Sequence, residues 1–82
     1  MSLDGSFEDA TGREVIWSVV EVHDYDSGVH VGGDIEDSLY EADRVFYQLD
    51  IGDETYYRWV AGPFESISGL EAAIIDEVEE YA

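Results

Sequence analysis

The stretch VHDYDSGVH, from Val22 to His30, holds the only two histidines of the chain, His23 and His30, with Asp24 and Asp26 between them. Imidazole nitrogens and carboxylate oxygens ligate divalent metals, and an imidazole beside a carboxylate can also move protons near neutral pH. If the stretch folds as a hairpin, the two histidines can face each other across its turn. His23, Asp24, Asp26 and His30 are therefore a candidate metal set. The spacing Asp24, Asp26, Gly28 resembles the opening of a calcium loop, but Gly28 and Val29 stand where an EF-hand needs an oxygen ligand and then its glycine, so that pattern fails. The same residues also make an ordinary turn. Asp and Ser side chains bond nearby backbone N–H groups, and Gly28 tolerates positive φ. The turn is the leading reading, and the metal set is the alternative.

Other recognisable chemistry is missing. The sequence has no P-loop, no G-x-G-x-x-G, no G-x-S-x-G and no H-E-x-x-H, and it has no cysteine to act as nucleophile, zinc ligand or disulfide partner. Val31, Gly32 and Gly33 lack the rest of a phosphate loop. Paired carboxylates are too abundant to mark a general acid and base. The chain reads as noncatalytic, with no cofactor expected.

Charge is the strongest compositional signal. Twenty-one Asp and Glu oppose three cations, Arg13, Arg44 and Arg58, for a formal net charge of -18, and lysine is absent. With 45% hydrophobic and 13% aromatic residues the chain still has the material for a core, so disorder is not expected. A nucleic-acid mimic would gather its carboxylates on one face, whereas here they recur along the whole chain without a long acidic run. The composition resembles the proteome style of salt-in halophilic archaea, which implies an environment of molar salt and no particular activity. No apolar stretch is long enough to span a membrane and no basic, hydrophobic leader is present, so the expected place is the cytoplasm, away from membranes.

The elements follow from periodicity. Residues 1–12 read as a loose arm, with Phe7 as its one anchor, and residues 13–82 as a single domain. A strand over REVIWSVVEVHDY places Val15, Trp17 and Val19 on one face and Ile16, Ser18 and Val20 on the other. A turn at Asp26, Ser27 and Gly28 feeds a short return strand at 29–31. GGDIEDSLYEAD reads either as an acidic loop or, the preferred reading, as a helical turn that Asp34 caps and on which Ile35 and Leu39 share a face. Two β-rich runs, 43–51 and 54–61, flank Gly52-Asp53 at the spacing of a two-residue hairpin. If Ile51 pairs with Glu54, Phe46 lies opposite Trp59 and Tyr47 opposite Arg58. The last element is a helix, with Ser68 and Glu71 as a capping box, Ile67 as a staple, and Leu70, Ile74, Val78 and Tyr81 as its apolar stripe. The expected fold is α+β, with an antiparallel sheet of about four strands and one C-terminal amphipathic helix on one face, in the order ββ(α)ββα.

One helix leaves the other sheet face uncovered. If that face carries Phe46, Tyr57, Trp59 or Trp17, either the arm or a second subunit should cover it. Arg58 joins these as an interface candidate because its planar fork suits a carboxylate, although a cross-strand ion pair or stacking on Tyr47 or Trp59 explains it as well. An aromatic sheet can stack nucleic-acid bases, but such platforms need a basic groove that three arginines do not provide, so direct nucleic-acid binding is not expected. The expected function is a small interaction or regulatory domain acting as a homodimer or with a protein partner. Metal or ligand binding at His23 to His30, with or without catalysis, is the first alternative, and acidic mimicry of nucleic acid is the second.

Overall fold

The computed structural model describes residues 3–26, 28–31 and 35–81. Strands β1 (Asp4–Glu8), β2 (Glu14–Asp24) and β3 (Gly28–His30) come first, followed by a short helix α1 (Ile35–Ser38) that tightens into a 3-10 turn at Leu39–Glu41. Strands β4 (Arg44–Ile51) and β5 (Glu54–Ala61) and the helix α2 (Ile67–Tyr81) complete the chain. The sheet is antiparallel with the path β1-β2-β4-β5, and β3 pairs with the far end of β2 on the same edge as β1. The α+β architecture with a C-terminal helix is as the periodicity predicts. No helix among the described residues is long and apolar enough to cross a membrane.

The β4–β5 hairpin has the expected register, with Ile51 opposite Glu54, Phe46 opposite Trp59 and Tyr47 opposite Arg58. Its turn needs Gly52, whose φ is +61°, while Asp53 keeps a negative φ; a single glycine at the first central position is the pattern of a type II′ turn. Strict alternation along β4 then sends Val45, Tyr47 and Leu49 to the core and Phe46 and Gln48 to the opposite face.

β2 does not alternate strictly. Val19 opposes Tyr47 and Glu21 opposes Phe46, so Val20 is an extra residue in a β-bulge. Before the bulge Val15, Trp17 and Val19 face the core; after it Val22 and Asp24 do. Without that extra residue Glu21 and His23 would point into the apolar layer and Val22 away from it. The bulge therefore sends one ionisable pair to the open face and keeps valine inside.

The segment expected as a loose arm contains β1, which pairs with β2 from Asp4 opposite Ser18 to Glu8 opposite Glu14. Leu3 is buried and Phe7 packs against the core. Between them Gly5 lies directly opposite Trp17, where a Cβ would sit 2.7 Å from the indole Cζ2. Trp17 is only 1% exposed, and its Nε1–H donates to Glu71 Oε2 of α2 at 2.9 Å, so the ring has little room to yield. Gly5→Val is expected to cost about 1–3 kcal/mol by overpacking. Thermal unfolding in molar KCl checks this, at about 4–8 °C per kcal/mol for a domain of this size. An unpaired arm would leave the midpoint unchanged.

The core lies between one sheet face and a layer made by α2, α1 and the 3-10 turn. Leu70, Ile74 and Val78 form the buried stripe of α2, and Ile35 and Leu39 share a buried face as expected. Asp34, expected as the cap of α1, lies outside the described residues, as do Ser27 in the first hairpin and the side chain of Tyr81. The start of α2 differs from expectation. Ser66 caps it, its Oγ accepting from Gly69 N at 3.1 Å, and Ser68 and Glu71 form no capping box. Ile67 is the first helical residue and 39% exposed, so it is not a staple. Gly69 occupies the position where a box would need Glu or Gln, and Glu71 instead serves the Trp17 indole.

Candidate functional site

The sheet face away from α2 is built by the residues that the β4–β5 register and the β2 bulge turn outward. Across three strands, Glu21, Phe46 and Trp59 are aligned, as are Ser18, Gln48 and Tyr57. His23 and Arg44 form the next rung. The rings touch in a chain. Tyr57 stacks on Phe46 with centroids 5.7 Å apart and planes 14° apart; Phe46 meets Trp59 at 4.7 Å and 43°; Trp59 meets the His23 imidazole edge-on at 4.8 Å. The Arg44 guanidinium lies 4.4 Å from the Trp59 ring centre, a cation–π distance. Trp59 remains 42% exposed, Tyr57 53% and Ile16 44%, so the strip is an apolar surface open to solvent.

Charge on this face is uneven, the cations lying at one end together with Glu21. Arg44 and His23 sit at one end of the strands, and Glu14, Glu8 and Asp50 lie toward the other. His23 Nε2 is 2.8 Å from Glu21 Oε2. At the opposite end Asp50 is fixed by the Thr55 hydroxyl at 2.7 Å and the Gln48 amide at 3.1 Å.

Three of the four expected interface residues, Phe46, Tyr57 and Trp59, are thus brought together, and the fourth is not. Arg58 lies opposite Tyr47, on the helix side of the sheet. Its guanidinium stands 5.3 Å from the Tyr56 ring and donates to Tyr57 O. The ring of Trp59 is taken by Arg44. Sequence reasoning missed His23, Arg44 and Ile16 as parts of the surface; the change from i, i+2 spacing at Val15, Trp17 and Val19 to i+3 at Val22 was the available signal for the bulge that places His23 there.

The candidate metal set is dispersed. His23 pairs with Val29 and His30 with Val22, so the register puts the histidines on opposite faces of the sheet and they do not face each other. Asp24 is buried, and its Oδ1 accepts from Asp26 N at 2.8 Å, which is Asx-turn chemistry. Asp43 Oδ2 accepts from Tyr25 N at 2.6 Å and tightens the same turn. Among the described residues no three His, Asp or Glu side chains are placed to hold a metal ion.

At the other end of β2, Asp9 organises the β1–β2 connection. Its Oδ1 accepts from the Thr11 hydroxyl at 2.7 Å and from the Thr11 and Arg13 backbone N–H groups, while Oδ2 pairs with Arg13 Nε at 2.9 Å. The Thr11 hydroxyl, then the Arg13 backbone N–H, hold the Asp9 carboxyl down at about 2, which leaves it ionised throughout the neutral and mildly acidic range. Comparison with protein-family models, with curated proteins and with solved structures finds no match for this chain.

Proposed function

We propose that the protein is a small noncatalytic interaction domain of a halophilic archaeon, at work in a cytoplasm of molar salt, and that it self-associates through the open sheet face. The observation that carries this reading is the continuous chain of touching rings on the sheet face away from α2, with Tyr57 and Trp59 exposed and Phe46 and His23 half-buried between and beside them. Water-exposed aromatic surface of this kind is what homodimers bury, and Trp, Tyr and Arg are the residues that most often dominate interface energetics.

The occupant that fits is a second copy of the chain. A two-fold axis between two facing sheets, perpendicular to the strands, brings the Arg44 and His23 end of one copy over the Asp50 and Glu14 end of the other, in both directions at once. The rings then meet at the centre and the charges at the rim. Molar salt removes the long-range repulsion between two anionic chains but not the apolar contact. Carboxylates contributed by strands, turns and the outer side of α2 alike give no one-sided array of the sort that would imitate nucleic acid.

Light scattering with sedimentation velocity in molar KCl tests the proposal. A particle of twice the 9.2 kDa chain mass is expected, in reversible equilibrium with monomer on dilution. A strict monomer at every concentration overturns self-association, and a monomer that carries a stoichiometric unlike protein gives the face to a different occupant.

A further inference from the structure

Two of the three cations of this chain, Arg13 and Arg58, border one cavity of about 280 Å³ on the helix side of the sheet, away from the aromatic strip. Leu49, Ile51 and Val78 give it an apolar wall, and Glu54, Tyr56 and Glu77 complete its rim. Arg13 is anchored through Nε alone, to Asp9 Oδ2 and Thr11 Oγ1, and its two terminal nitrogens make no hydrogen bond among the described residues. Arg58 has one bond from Nη1 to Tyr57 O and rests near the Tyr56 ring. In a chain with 21 carboxylates, Arg58 forms no ion pair among the described residues. Both guanidinium groups act on one atom: the Tyr56 hydroxyl is pushed up by its hydrogen bond to Glu54, and the charges of Arg58 and Arg13 each pull it back.

We propose that this cavity binds a small organic monocarboxylate, its carboxylate held by Arg58 and Arg13 and its apolar body laid against Leu49, Ile51 and Val78. A guanidinium fork with unused N–H groups matches a carboxylate in geometry and charge. Glu54, Glu77 and the Asp9 partner of Arg13 set three carboxylates against the two arginines, so a dianion such as phosphate is repelled more than a monocarboxylate is. The apolar wall supplies what inorganic anions cannot use. This site is independent of the self-association surface.

The test is a titration of the full chain with benzoate in molar KCl, followed by NMR. Saturable shifts at the Arg58 and Arg13 side chains, the Tyr56 ring and the Val78 methyls are expected. Arg58→Gln should weaken binding about tenfold or more, since a charge-assisted bond is lost, and Arg44→Gln on the opposite face should change it by less than about twofold. Arg13→Gln serves as the second variant if Arg58→Gln alters the fold. Absence of saturation overturns the proposal, as does equal affinity for inorganic phosphate or for benzyl alcohol, or an unaltered affinity in a folded Arg58→Gln or Arg13→Gln protein. A Trp59→Asp protein that is monomeric yet binds benzoate normally would keep this site whatever becomes of the dimer.

Discussion

Trp59→Asp in molar KCl is expected to give a folded monomer, with the dimer dissociation constant raised by about thirtyfold or more, the effect of losing a central hot-spot aromatic worth at least about 2 kcal/mol. Trp59 is the middle of the ring chain: Phe46 on one side, His23 on the other and Arg44 above it. An aspartate there removes the largest apolar element of the face and places a carboxylate at the centre of a surface whose partner copy would present the same carboxylate. The fold should survive, because Trp59 is 42% exposed and its cross-strand contacts contribute only about 0.2–1 kcal/mol each. Tyr40→Asp is the matched control. Tyr40 is 61% exposed in the 3-10 turn on the other layer, so its loss should leave association unchanged. A Trp59→Asp protein that dimerises as tightly as the parent would remove the open face from the interface.

Much of this surface was legible in the sequence because hairpin register follows from turn length. Two residues between two β-rich runs fix Ile51 opposite Glu54, and every pair along β4 and β5, Phe46 with Trp59 included, follows from that. The apolar stripe of α2 and the shared face of Ile35 and Leu39 were legible for the same reason, since period alone decides which side chains lie together. What period does not encode was missed. β1 shows little hydrophobicity because the space over Gly5 is filled by Trp17 from the neighbouring strand, so the residue that fits best there has no side chain. The bulge at Val20 lies in a run of β-branched residues that reads the same with or without an extra position, yet it decides that His23 joins the aromatic strip, while the β2–β3 register puts His30 on the other face. Arg58 was placed with the wrong face because its character, and not its parity, was weighed: at an even number of residues from Tyr56, it must share the helix side. At α2, Ser66 and Ser68 both offer a hydroxyl, and local sequence alone does not choose between them; Ser66 accepts from Gly69 N.

Raising KCl from about 0.1 M to about 1 M should move the thermal midpoint up by ten degrees or more, because the Debye length falls from about 10 Å to about 3 Å. Two unit charges 10 Å apart in water interact by about 0.4 kcal/mol before screening, and 21 carboxylates distributed over every element but β3 of so small a domain create many pairs at that range. With three arginines against 21 acids most of that repulsion is not cancelled locally, although Asp9 pairs with Arg13 and Glu21 with His23. The sum is a few kcal/mol even after the denatured chain, which carries the same charges farther apart, is set against it. That is comparable to the whole stability expected of a domain this size, about 4–12 kcal/mol. The measurement should use the Trp59→Asp protein at low concentration, so that dimer formation does not add its own concentration-dependent stabilisation. Far-ultraviolet dichroism follows α2 and the sheet, and the emission of the buried Trp17 follows the core without interference from Trp59. Equal gains from KCl and NaCl at equal ionic strength identify screening as the cause, whereas a gain limited to one cation would point to bound ions. A midpoint that stays level across this range would mean that the carboxylates do not repel one another enough to matter, and the case for a salt-adapted surface would go with it.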